Sequence, residues 1–236
     1  MVVDIANGEK MFLYFLACTA LETEKDPPET ISLAGGVTEL LGGAGISDVE
    51  VCVEAMSEDA CSNTDAQGVY QVDVYSDYEH TLLLSHEDYV SGLVFAQVST
   101  EALSLPNVSL VSPSLIEAQL SSIDAHWEAG TGILAFSISN GIFGDGLNIP
   151  DVLVSMEPEV GQGPFYSNGL GIPTTDLGQT SSNGGGVFVN VLAGEVSLGF
   201  QNLPAGCTLL LGWGNIDKVR VVIAAGRVSF VRLECL

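Results

Sequence analysis

The side chains of this chain best suited to chemistry are its five cysteines and three histidines. Cys18, Cys52, Cys61, Cys207 and Cys235 could bind a soft metal or oxidise in pairs. Structural zinc sites favour closely spaced cysteine pairs, and the intervals 52/61 and 207/235 do not supply them. His80 and His86 flank a leucine-rich stretch near Asp77, Glu79, Glu87 and Asp88, while His126 stands apart. A metal site there is conceivable, but the pair reads as exposed loop histidines among carboxylates. No Gly-x-Ser-x-Gly element sits between a strand and a helix, so a serine hydrolase finds no support. Asn183-Gly184-Gly185-Gly186 is followed by no lysine and opens no helix, so it is not a phosphate loop. The thirty acidic residues offer many carboxylate pairs, and that abundance makes any one pair uninformative about glycoside hydrolysis. The expectation is a protein that is not an enzyme, with no cofactor and no metal site.

The elements that would carry these residues are strands. Val49, Val51, Val53 and Ala55 fall on one face of an extended segment, and Asp48, Glu50, Cys52 and Glu54 on the other. A period of two marks a half-buried strand. Thr64-Asp65-Ala66-Gln67-Gly68 supplies a reversal, and Tyr70, Val72 and Val74 alternate beyond it. A weaker copy runs from Gly146 to Val191: GLNIPDVLVSMEP, a long loop, then TSSNGGGVFVNV.

This pattern resembles the carboxypeptidase regulatory-like domain, a transthyretin-like β-sandwich. The residues that carry the likeness are Gly45 to Val51 with Thr64 to Tyr70, then Ile149 to Val154 with Thr180 and Gly186 to Gly194. The resemblance implies an all-β fold of two tandem transthyretin-like or immunoglobulin-like sandwiches from about Thr30 onward. It implies no particular function, since such folds host many.

The layout expected is a signal-like segment and tether over 1–30, a first sandwich over 31–111, a linker helix region over 112–129 and a second sandwich over 130–236. Strands are expected near Ser32–Thr38, Val49–Ala55, Val69–Val74, His80–Ser85, Gly92–Val98 and Val108–Val111. The second set lies near Gly132–Ser139, Val152–Met156, Val187–Val191, Glu195–Phe200, Cys207–Trp213, Lys218–Ile223 and Arg227–Glu234. A helix is predicted over Ser112–Ala125, with Ser112 as N-cap, Pro113 as first residue and Glu117 in the first turn. Leu115, Ile116, Leu120 and Ile123 would form its buried stripe.

Met11 to Ala17 is too short to span a bilayer but long enough for a short signal core. Phe15-Leu16-Ala17-Cys18 resembles a bacterial lipobox, with Phe15 where leucine is usual and Asp4 and Glu9 diluting the basic flank. The alternative is an apolar segment packed on the first domain. Thr19 to Thr30 reads as a tether. With Cys18 lipidated, four cysteines remain and three connectivities are open. Cys52–Cys61 and Cys207–Cys235 are favoured, because each then stays inside one domain.

Six basic residues face thirty acidic ones, a formal net charge of -24, and no Lys or Arg lies between Asp26 and Asp217. Such a surface repels phosphate backbones and argues against nucleic acid as a partner. It suits solubility; a calcium-binding surface is the sharper alternative, without an EF-hand loop to support it. The function expected is a non-catalytic binding or structural module of a bacterial cell envelope, or a secreted one, that meets a surface glycan or protein. It would touch membrane only through an N-terminal lipid at Cys18. A calcium-dependent adhesive protein and an accessory domain pair of a carboxylate-using hydrolase are the alternatives. Candidate ligand contacts are Phe165, Tyr166 and Asn168, in the long loop Gly161–Gly186.

Overall fold

The computed structural model describes residues 29–54, 56, 60–140 and 148–236. Cys18, the expected signal-like segment and nearly all of the tether lie outside the described residues, as does Gly146. The fold is all-β with one short helix. The first half carries β1 (Thr30–Glu39), β2 (Glu50–Val53), β3 (Cys61–Asn63), β4 (Val69–Tyr75), β5 (Glu79–His86), β6 (Tyr89–Gln97), β7 (Leu103–Ser104) and β8 (Val108–Leu110). After α1 (Pro113–Ser121) come β9 (Thr131–Asn140), β10 (Leu153–Glu157), β11 (Gln162–Tyr166), β12 (Gly185–Leu192), β13 (Gly194–Gln201), β14 (Cys207–Leu211), β15 (Trp213–Asn215), β16 (Lys218–Ile223) and β17 (Val228–Cys235).

Both halves use one strand plan. In the first, β1 lies antiparallel to β4 and parallel to β8, while β2, β5 and β6 pair in that order. In the second, β9 lies antiparallel to β12 and parallel to β17, while β10, β13 and β16 pair in that order. Alternation explains the packing. Leu33, Val51, Tyr70, Val72 and Leu84 fill the first core, and Leu134, Phe136, Val154, Leu198 and Val221 the second.

The halves share a sheet. β17 runs parallel to β6 through Val228–Gly92, Ser229–Leu93 and Phe230–Val94. The ribbon β3-β2-β5-β6-β17-β9-β12-β11 therefore crosses from one half to the other. β6 serves both cores: Val94 and Ala96 face the first, Leu93 and Phe95 the second. Its unbroken apolar run Leu93-Val94-Phe95-Ala96 is what a strand buried on both faces requires. At Gly92 a Cβ would lie 2.9 Å from the Phe230 ring, so a larger residue would have to displace that ring.

The pairs Cys52–Cys61 and Cys207–Cys235 are disulfides. Each joins residues directly opposite one another on neighbouring antiparallel strands, β2 with β3 and β14 with β17.

Four features depart from the sequence expectations. α1 ends at Ser121 rather than Ala125, and no acidic residue lies in its first turn. Counted from Pro113, Glu117 falls in the second turn, where its carbonyl accepts from Ser121 Oγ at 2.8 Å. The stretch Gly161–Gly186 is not simply a loop, since β11 pairs with β12 through Gln162–Val189, Phe165–Val187 and Tyr166–Gly186. His80 is not an exposed loop residue: it is buried in β5 and its Nε2 donates to the Tyr75 carbonyl at 2.7 Å.

Candidate functional site

The long loop's three candidate residues are held by the framework. Tyr166 is 3% exposed on the inner face of β11, and its hydroxyl accepts from the Val154 N–H at 2.9 Å. Burial raises its pKa, and that backbone bond partly offsets the rise. Phe165 faces the opposite way and packs with the cluster under α1. Asn168 Oδ1 accepts from the N–H groups of Leu170 and Ile172 at 2.9 and 3.2 Å, closing a tight turn. The side chains this turn presents are Leu170, 85% exposed, and Ile172. The structure thus separates Phe165 and Tyr166 to opposite faces and gives Asn168 a turn-closing role.

A cleft of about 300 Å³ lies beside that turn, on the outer face of the second half's sheet. Its floor follows from strand register. One row across the sheet reads Phe230, Ala135, Val187 and Phe165, and the next reads Arg232, Ser137 and Gly185. Phe230, Val187 and Phe165 make the first row bulky on both sides of Ala135. The second has one long cation beside a hydroxymethyl and a hydrogen, which leaves space above the strands.

α1 forms one wall. Ser112 Oγ accepts from Leu115 N at 3.4 Å and Pro113 opens the first turn, which orients Ile116 and Leu120 onto Ile133, Val189 and Val228. Leu40 and Asn107 of the first half and Pro173 of the turn complete the rim. The cleft is therefore built from both halves.

Arg232 is the charged group inside it. Its Nη1 approaches the Asn107 carbonyl at 3.5 Å, and its Nε is buried with no acceptor among the described residues. Burial lowers the guanidinium pKa, partly offset by Glu234, yet an arginine keeps its charge. Arg232 carries no motif in the sequence that marks it as a binding residue. Its signal is the alternation Val228, Phe230, Arg232, Glu234, which places a lone cation on the outward face of β17 between two apolar residues and one acidic one.

Among the described residues no group of three or more His, Cys, Asp and Glu is arranged to hold a metal ion. No described helix is long and apolar enough to cross a membrane. His86 Nδ1 accepts from Asp88 N at 3.1 Å and lies apart from His80, whose imidazole is committed to Tyr75.

No family model and no curated protein matches the chain. Among solved structures, the Bacillus anthracis TIE protein is 13% identical at a TM-score of 0.30, over 87% of this chain and 34% of that one. The minor pilin GBS52 of Streptococcus agalactiae is 12% identical at a TM-score of 0.29, over 87% of this chain and 96% of that one. The shaft pilin SpaA of Lactobacillus rhamnosus GG is 8% identical at a TM-score of 0.26, over 89% and 98% respectively. The chain spans about a third of the length of the first of these. Overlap at these TM-scores fixes neither a shared topology nor a shared role.

Proposed function

We propose that this chain is a non-catalytic binding and structural module of a bacterial cell envelope, or a secreted one, built from two copies of one transthyretin-like sandwich plan. The observation that carries the reading is the pair of disulfides, one in each half, each stapling strand neighbours that lie in register. Disulfides of this structural kind persist in oxidising compartments outside the cytosol. The acidic surface fits a module that stays soluble and does not gather nucleic acid. The two-copy reading is supported by the matched strand pairings and by hydrogen bonds around Thr64 that recur around Thr180. In this proposal Cys18 carries a lipid, the segment after it is a tether, and the partner is a surface glycan or protein.

The test is intact-mass analysis of protein extracted from membranes of the producing cells. A chain beginning at Cys18 with added acyl mass supports the anchored reading. An unprocessed chain recovered from the cytosol with its thiols reduced contradicts it.

A further inference from the structure

Arg232 is a cation without a carboxylate in a chain of thirty acidic residues. Arg220 is paired with Glu79 and Glu195, and Arg227 with Glu54. Among the described residues no carboxylate forms such a pair with Arg232. Glu234 attracts it from two positions along β17 without closing an ion pair. The guanidinium is thus left with donors that the fold does not use.

The space beside Arg232 is equally specific. Ser137 and Gly185 stand across from it in register, and the remaining walls, with Ile116, Leu120 and Phe230, are mainly apolar. A wholly apolar ligand would leave the guanidinium donors unmatched, at the cost of an unsatisfied polar group. A phosphate dianion would call for more cations than the one this cleft holds. A planar monoanionic carboxylate matches the guanidinium fork. About 300 Å³ is at the small end of ligand pockets, too little for a polymer segment with its backbone.

We infer that the cleft between α1, β8 and the β9–β17 face binds a small amphipathic carboxylate, with its head on Arg232 and its apolar body above Ser137 and Gly185. The formal charge of -24 opposes an anion at long range. Salt confines that repulsion to about a Debye length, ~8 Å at physiological ionic strength. The contact with Arg232 lies well inside that distance. The inference concerns a ligand site and stands apart from the compartment and anchoring proposed above.

The test titrates octanoate into the full chain with both disulfides intact, by calorimetry, with octan-1-ol and butanoate alongside. Octanoate is expected to bind saturably at one site, with octanol and butanoate each at least about tenfold weaker. Arg232→Met keeps an unbranched apolar stem and removes the guanidinium. It should weaken octanoate at least about tenfold and leave octanol within about twofold. Ser137→Leu fills the trough with Arg232 in place and should weaken octanoate and octanol alike. The Arg232 Nε–H resonance of the unmodified protein should shift with octanoate and not with octanol, a readout that needs no variant. Absence of saturable octanoate binding, equal affinity for octanoate and octanol, or undiminished octanoate binding by folded Arg232→Met would each overturn the inference.

Discussion

Thr64 and Thr180 hold the same place in the two halves and make the same bonds. Thr64 Oγ1 donates to the Ile46 carbonyl at 2.6 Å and accepts from Val49 N at 2.9 Å. Thr180 Oγ1 donates to the Ile149 carbonyl at 2.8 Å and accepts from Val152 N at 2.9 Å. Their backbones repeat the match: Asp48 N donates to the Thr64 carbonyl and Asp151 N to the Thr180 carbonyl, while Thr64 N donates to Val49 O and Thr180 N to Val152 O. Both hydroxyls are buried. Each fastens the lead-in of one strand, β2 or β10, to the segment that leads on to β4 or β12.

Replacing either threonine by valine keeps the shape and removes the hydroxyl. One buried N–H and one buried carbonyl then lose a partner, each worth about 1–3 kcal/mol. Thr64→Val and Thr180→Val should therefore each destabilise by about 2–4 kcal/mol in urea unfolding. The exposed Thr208→Val should cost less than about 0.5 kcal/mol. A loss below about 1 kcal/mol at either buried site would show that the bonds are not structural.

Gly68 and Gly184 follow those threonines and repeat as well, with φ of +79° and +66°. A Cβ at Gly68 would collide with the Val37 carbonyl, and one at Gly184 with the Ile138 carbonyl. Gly130 has φ +86° but open space around it. Gly68→Ala and Gly184→Ala should cost at least about 3 kcal/mol, from positive-φ strain plus the collision, and Gly130→Ala about 1 kcal/mol from strain alone. Thermal unfolding of the three variants checks the order, which would fail if Gly130→Ala were the most damaging.

Two buried tyrosines should respond in opposite ways to loss of the hydroxyl. The Tyr70 hydroxyl is buried without a partner among the described residues, and burial raises its pKa well above the ordinary value. Tyr166 accepts from Val154 N. Tyr70→Phe should leave stability unchanged or raise it by up to about 1 kcal/mol, and Tyr166→Phe should lower it by about 1–2 kcal/mol. A raised tyrosine pKa means the folded state holds its proton longer than the unfolded chain. That contribution is intact below the ordinary tyrosine pKa of ~10 and is lost as pH rises above it. Stability should therefore fall above about pH 10, and less steeply in Tyr70→Phe. An identical alkaline slope in both proteins would contradict this.

The positions of the longer strands were largely legible. Alternation at Val49, Val51 and Val53 and at Val196, Leu198 and Phe200 reports one buried face per strand, a local property. β3, β7 and β11 were not, because short strands carry too few residues for a period and Gly163-Pro164 interrupts β11. The pairing of β6 with β17 leaves no local mark, since it joins segments distant in sequence; only the unbroken run at Leu93–Ala96 hints that both faces are buried. The cleft was hidden for the same reason. Arg232, Ser137 and Gly185 become neighbours only once register is known. Tyr166 looked like a ligand contact because a loop tyrosine and an inward strand tyrosine read alike.

The two disulfides close loops of different length, with sequence separations of 9 and 28. Chain entropy then assigns about 3 kcal/mol to Cys52–Cys61 and about 4 kcal/mol to Cys207–Cys235. Replacing the second pair by alanine should lower the denaturant midpoint more than replacing the first. The reverse order would show that strand packing around β3, rather than loop closure, sets the effect.

Residence in an oxidising compartment is the claim on which the proposed role depends, and the thiol state of the native protein tests it most directly. Cells that make the protein are quenched with a thiol-alkylating reagent, and the labelled peptides are mapped before and after reduction. Cys52, Cys61, Cys207 and Cys235 should be blocked before reduction and labelled only after it. Labelling of these four cysteines in the unreduced protein would contradict the account.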